Sequence, residues 1–229
     1  MKTNILKTIT VFALLFMAPA SMARDMNSRI LVMGDSLLAA HSISRRAVAH
    51  SIEATLGQKV VNNSVVGARI IYKLPISGAL GLNISKQYRK GNWDWVVLSG
   101  GGNDLMLGCG CNKCDRKIRR MISASGASGE VPRLVSKLRR TGAKVIYVGY
   151  LRSPGVGSPI ESCKDEGDEF ESRINKMAQQ NEGVYFLSLA DLVPHGDRSF
   201  HAIDMIHPSL KASKIIGQMV SKIISSNGK

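Results

Sequence analysis

The sequence predicts an α/β fold, a three-layer α/β/α arrangement in which a five-stranded parallel sheet lies between two layers of helices. Two observations carry this. Five short runs rich in β-formers recur along the chain, and helix-length segments separate them. Parallel neighbours cannot be joined by a hairpin, so such spacing implies crossovers that cover both faces of the sheet.

Taken in order, the strand candidates are residues 29–33, 59–65, 94–99, 144–148 and 184–187. Helices are expected over 38–56, 76–89, 118–140 (interrupted by a Ser/Gly stretch at 123–129), 169–181 and 209–225. No linker or repeat divides the chain, and its length suits one sizeable core. Residues 1–23 read as an export signal. Lys2 and Lys7 open it, residues 9–17 are apolar, and Ala18-Pro19-Ala20-Ser21-Met22-Ala23 supplies small residues for cleavage. The apolar run is too short to span a bilayer. The expectation is a domain over 24–229, exported to the periplasm or beyond.

Such a sheet gathers ligands at the C-terminal ends of its strands. Ser36 follows the first strand, Gly67 the second and Asn103 the third, so all three should meet at that edge. Asp204 and His207, three residues apart before the last helix, add an acid and a base. A serine hydroxyl is a poor nucleophile at neutral pH. An imidazole must take its proton, and a carboxylate must hold that imidazole in the right tautomer.

Gly34-Asp35-Ser36-Leu37, then Gly67, then Gly102-Asn103-Asp104, then Asp204-Met205-Ile206-His207 resemble the four sequence blocks of the SGNH, or GDSL, hydrolases, in the family's order. Each block alone is an ordinary turn or a chance pairing; together they span nearly the whole domain. The resemblance implies a flavodoxin-like sheet of order 2-1-3-4-5. It implies Ser36 as nucleophile, His207 as base and Asp204 as its orienting partner. The oxyanion donors would be the Ser36 amide, the Gly67 amide and the Asn103 side chain, with no metal or organic cofactor. The expected substrate is a small-molecule or glycan-linked acyl ester. An O-acyltransferase would use the same triad, and a non-catalytic protein that grips anionic envelope polymer is the reading from another class.

Rival signatures are missing. No serine stands in Gly-x-Ser-x-Gly, and Gly100-Gly101-Gly102 completes neither a dinucleotide fingerprint nor a P-loop. His195 and His201, with Asp197 between them, fit no block and are taken as loop residues. Leu105, Met106 and Leu107 offer either core or an apolar wall for an acyl chain.

Four cysteines in an exported chain favour two disulfides. Cys109, Cys111 and Cys114 follow the Asn103 block, and Cys163 follows the fourth strand. In a 2-1-3-4-5 sheet those loops leave one edge side by side, so a bond from Cys163 to Cys111 or Cys109 would tie them together and brace a pocket wall. A Cys111/Cys114 redox pair and a zinc site completed by Cys163 are the alternatives.

The formal charge is +14, and many of the cations lie in 113–144. They form solvated helix faces or attract an anionic envelope surface. No nucleic-acid-binding motif accompanies them.

Overall fold

A computed structural model describes residues 28–228, so the export-signal expectation for 1–23 lies outside the described residues. Five strands form one parallel sheet: β1 (Ile30–Met33), β2 (Val60–Asn62), β3 (Trp95–Leu98), β4 (Lys144–Val148) and β5 (Val184–Leu187). Their order is β2-β1-β3-β4-β5. Every neighbouring pair is parallel, with Ile30 opposite both Val60 and Trp95. The sheet expected from the sequence is thus the one observed.

β1 and β3 are buried at every position, as strands covered on both faces must be. Residues alternate between two cores. Leu31, Met33, Val96 and Leu98 face one, which is closed by α5 (Asp115–Met121), α6 (Glu130–Arg139) and α7 (Lys164–Gln179). Ile30, Val32, Trp95 and Val97 face the other, beneath α2 (Val48–Leu56) and α8 (Leu210–Ser226).

Three helical expectations need correction. The helix over 38–56 is two: α1 (Ser36–Ala39) and α2, separated by a turn in which His41 and Arg45 have φ of 64° and 56°. The 76–89 segment is not an α-helix. It holds one short turn, α3 (Pro75–Ser77), then a π turn at Gly78–Leu82 and a 3-10 turn at Ile84–Lys86. Two glycines and a proline at N1 explain why apolar spacing alone misleads there. Finally, α4 (Gly102–Cys109) is a helix where only turn residues were read.

Candidate active site

The site is assembled where β1, β3, β4 and β5 end. A cavity of about 500 Å³ opens there, lined by Ser36, Asn103, Tyr150, Cys163, His195 and His207 among others. Ser36 is the first residue of α1, and Asp35 caps that helix by accepting the Leu37 amide at 3.1 Å. The other Asp35 oxygen accepts the Tyr150 hydroxyl at 2.5 Å. Burial pushes the Asp35 carboxyl up from its ordinary range, and the two hydrogen bonds oppose that.

Gly34 stands at φ 155°, and a Cβ there would sit 2.7 Å from the Ser99 carbonyl. Only a glycine lets β1 and β3 approach this closely just before the serine. The buried Gln87 fixes the same residue. Its Oε1 accepts the Gly34 amide at 2.7 Å, and its Nε2 donates to the Gly34 carbonyl at 2.8 Å.

Gly67 occupies a turn closed by the Ala68 amide on the Val65 carbonyl, with φ 79°. It is not among the residues lining the cavity, which distinguishes it from Ser36 and Asn103. Asn103 Nδ2 donates to the Ala68 carbonyl at 3.0 Å, and so holds that turn against the start of α4. Asp104 extends the same clamp by accepting the Ile70 and Ile71 amides at 2.8 and 2.9 Å. Burial dominates its titration and raises its pKa to about 6, against the two amides and the neighbouring cations.

Asp204 and His207, the expected acid and base, come from one loop. His207 Nδ1 lies 2.5 Å from Asp204 Oδ2, while Asp204 Oδ1 accepts the Ile206 and His207 amides at 3.0 Å each. Met205 takes φ 57° to make this tight reversal possible. Partial burial raises the Asp204 pKa, but the His207 ring and the two amides outweigh it and leave it at about 2. The carboxylate is therefore ionised at neutral pH and fixes the proton on Nδ1, which frees Nε2 to accept one. Three contacts among the described residues anchor the loop, one of them the Ser158 hydroxyl donating to the Met205 carbonyl at 2.7 Å. Pro208 pairs with His201, and its carbonyl lies 2.9 Å from His41 Nε2, five residues beyond the serine.

One cavity wall is charged. Arg152 bridges Glu171 at 2.8 Å and Asp168 at 2.7 Å, and Glu171 in turn accepts the Tyr150 amide at 2.6 Å. The opposite character comes from Leu105, Met106, Leu151, Ile160, Val193 and Ile206. Of the three apolar residues expected after Asn103, Leu105 and Met106 line the cavity and Leu107 is exposed.

All four cysteines are paired. Cys111–Cys163 joins the α4 and β4 loops as anticipated, and Cys109–Cys114 staples the turn after α4. None of the four is a free thiol, and the pairs formed are not the Cys111/Cys114 pair. Cys163 itself lines the cavity. His195 also lines it, although the sequence placed it outside the site. His201 is buried with neither ring nitrogen hydrogen-bonded, and burial lowers its pKa. Gln87, Tyr150 and His41 went unnoticed because their partners are 53, 115 and 167 residues away.

The sheet order, the edge cavity and the Asp204–His207 pair fit a hydrolase of flavodoxin-like α/β architecture. Residues 32–215 match the GDSL-like lipase/acylhydrolase family, and the chain belongs to that family. It is accordingly an SGNH-type hydrolase acting on ester bonds. No curated protein matches it. Solved structures share its fold at low identity. A carbohydrate acetylesterase family member from Sinorhizobium meliloti is 12% identical, with TM-score 0.61, covering 86% of this chain and 97% of that one. A family two carbohydrate esterase from Clostridium thermocellum, in complex with cellohexaose, is 18% identical with TM-score 0.55, covering 87% and 64%. An acetyl xylan esterase from Butyrivibrio proteoclasticus is 15% identical with TM-score 0.55, covering 87% and 64%.

Proposed function

We propose that the chain is an exported serine esterase that cleaves acyl esters through an acyl-enzyme on Ser36. The observation that carries this reading is the His207–Asp204 pair on the same cavity as Ser36 and Asn103. In the proposed first half-reaction, His207 Nε2 takes the Ser36 proton as Oγ attacks the ester carbonyl. The Ser36 amide and the Asn103 side chain, on the cavity, receive the developing oxyanion, with the Gly67 amide as the third donor that the family pattern implies. Collapse expels the alcohol, which takes the proton from His207. Water then repeats the sequence and releases the acid.

A glycan-linked ester is the substrate class favoured here. The cavity pairs an apolar side, suited to an acyl group, with the Arg152, Glu161 and Lys164 side chains, suited to hydroxyls. The names of the two carbohydrate esterases and the acetyl xylan esterase among the structural neighbours support that choice. Two disulfides accord with an oxidising compartment, and no described helix is long and apolar enough to cross a membrane.

The test is labelling of the oxidised protein by a fluorophosphonate, with turnover of an ester series that includes acetylated oligosaccharides, beside Ser36→Ala. Labelling and turnover confined to the parent are expected. Neither in a folded, disulfide-intact sample would end the esterase reading. Products analysed with excess sugar acceptor separate hydrolysis from acyl transfer.

A further inference from the structure

Large apolar side chains stand exposed at only one edge of the described structure. Ile43 follows β1, and Val66, Leu74, Ile76 and Leu80 follow β2. The others, Leu107, Val156 and Ile203, lie on segments leaving β3, β4 and β5. None belongs to the helices that flank the sheet, α2, α6, α7 and α8. Scattered exposure needs no explanation, but exposure confined to the edge that bears the cavity does.

The densest group is on the excursion from Ile70 to Asn83. Its stem is closed by the Arg69 amide on the Leu82 carbonyl and the Ile84 amide on the Arg69 carbonyl. Inside it, Tyr72 and Ser77 meet through their hydroxyls at 2.9 Å, and Gln87 Nε2 holds the Gly81 carbonyl at 2.8 Å. The excursion is thus a compact Ω-type loop with a fixed base. From it Leu74, Ile76 and Leu80 point to solvent at 64%, 79% and 78% of full exposure. A loop braced this firmly could have buried them, yet presents them outward. The 40–46 turn, with Ile43 fully exposed, is tied to the end of β2, from which the excursion departs, by the Asn62 side chain donating to Ser42 at 3.2 Å.

Charge identifies the occupant. Between Glu53 and Asp94 the chain contains no carboxylate, and it carries six lysines and arginines there. Arg45, Arg46, Lys73 and Lys86 are exposed on or next to these two segments. Lys73 and Lys86 have no carboxylate within ion-pairing distance among the described residues, and Arg45 reaches Glu53 only at 4.0 Å. Exposed apolar tips on segments rich in cations and poor in carboxylates match the boundary of an anionic bilayer, where the tips enter the acyl region and the cations meet phosphates.

We propose that the 70–83 loop, with the neighbouring 40–46 turn, docks the enzyme on an anionic lipid bilayer. This surface differs from the basic 113–144 region, and the proposal does not depend on the esterase reading. Its consequence is that the cavity, on the same sheet edge, works at the membrane face.

Vesicle sedimentation tests it, with the oxidised chain from Arg24 onward, which contains the whole described fold and lacks the apolar run at 9–17. Binding to phosphatidylcholine vesicles containing phosphatidylglycerol, weakened by salt and weak on pure phosphatidylcholine, is expected. Leu74→Ser/Ile76→Ser/Leu80→Ser should lower the partition coefficient by at least about tenfold. Lys73→Gln should lower it by about fivefold. Arg116→Gln/Arg119→Gln/Arg120→Gln should change it little. Thermal midpoints serve as the folding check. If the triple serine variant fails to fold, Leu74→Ser and Leu80→Ser alone, each expected to lose severalfold, decide the matter.

Several outcomes would overturn the proposal. These are no vesicle binding, binding indifferent to the apolar substitutions, loss through the 116–120 substitutions instead, or a dimer or polysaccharide complex that the triple variant abolishes in place of lipid binding. Ser36→Ala should bind vesicles like the parent, so failure of the esterase reading would appear only in turnover.

Discussion

The Tyr150 hydroxyl donates to Asp35 Oδ2 across 2.5 Å, joining the loop after β4 to the residue that precedes Ser36. The bond spans 115 positions of sequence and supplies a partner to a buried carboxylate. Removing the hydroxyl leaves that oxygen unsatisfied. Tyr150→Phe should therefore cost about 1–3 kcal/mol in urea unfolding. It should also raise the Asp35 pKa further, since this hydrogen bond opposes the effect of burial. Unchanged stability would show that the bond contributes nothing net.

Replacing the proposed oxyanion donor has a double effect. Asn103→Ala removes an amide that holds the Ala68 carbonyl, besides any donor to substrate. A loss of about 10²- to 10³-fold in kcat is expected from the donor role. Ser36→Ala should abolish burst labelling altogether, and Asp204→Asn should lower kcat about 10⁴-fold by permitting the wrong His207 tautomer. Steady-state kinetics on one ester checks the two kcat losses, and fluorophosphonate labelling checks Ser36→Ala.

The two disulfides should contribute unequally. Cys111–Cys163 has a sequence separation of 52 and Cys109–Cys114 only 5. On the loop-entropy argument the first stabilises by about 4 kcal/mol and the second by about 2, native strain aside. Cys111→Ser/Cys163→Ser should thus unfold at lower denaturant than Cys109→Ser/Cys114→Ser. The first pair should also change acyl-chain preference, because Cys163 lines the cavity.

Asp104 should make stability fall between about pH 4 and pH 6. Its folded pKa is raised from 3.8 to about 6, so in that window the folded state binds more protons than the unfolded state. Stability from this group is complete below the unfolded value and lost as pH rises through the folded one. Asp104→Asn cannot titrate. The difference in unfolding free energy between parent and variant should therefore change across this window and level off above it.

Much of this was legible in the sequence for identifiable reasons. Buried parallel strands are nearly uniform apolar runs, and all five declared themselves. Ser36, Gly67 and Asn103 were expected at one edge because strand ends in this fold converge; Ser36 and Asn103 line the cavity there and Gly67 does not. The segment 76–89 misled because its apolar spacing resembles a helix, while Pro75, Gly78 and Gly81 force a different path. Gln87, Tyr150 and His41 were not legible at all. A hydrogen bond across the sheet leaves no trace in local composition, and each of these side chains acts only through a distant partner.

Asp204 and His207 sit within four consecutive residues and share an aspartate-centred turn, so the proposed acid and base hold their mutual geometry locally. Ser36, the proposed nucleophile, is held separately, at the start of a helix that follows the first strand. What ties the two together is a small set of contacts to the loop, from His41 and His201 to Pro208 and from the Ser158 hydroxyl to the Met205 carbonyl. Their geometry, rather than the internal geometry of the Asp204–His207 turn, sets how the ring meets Ser36.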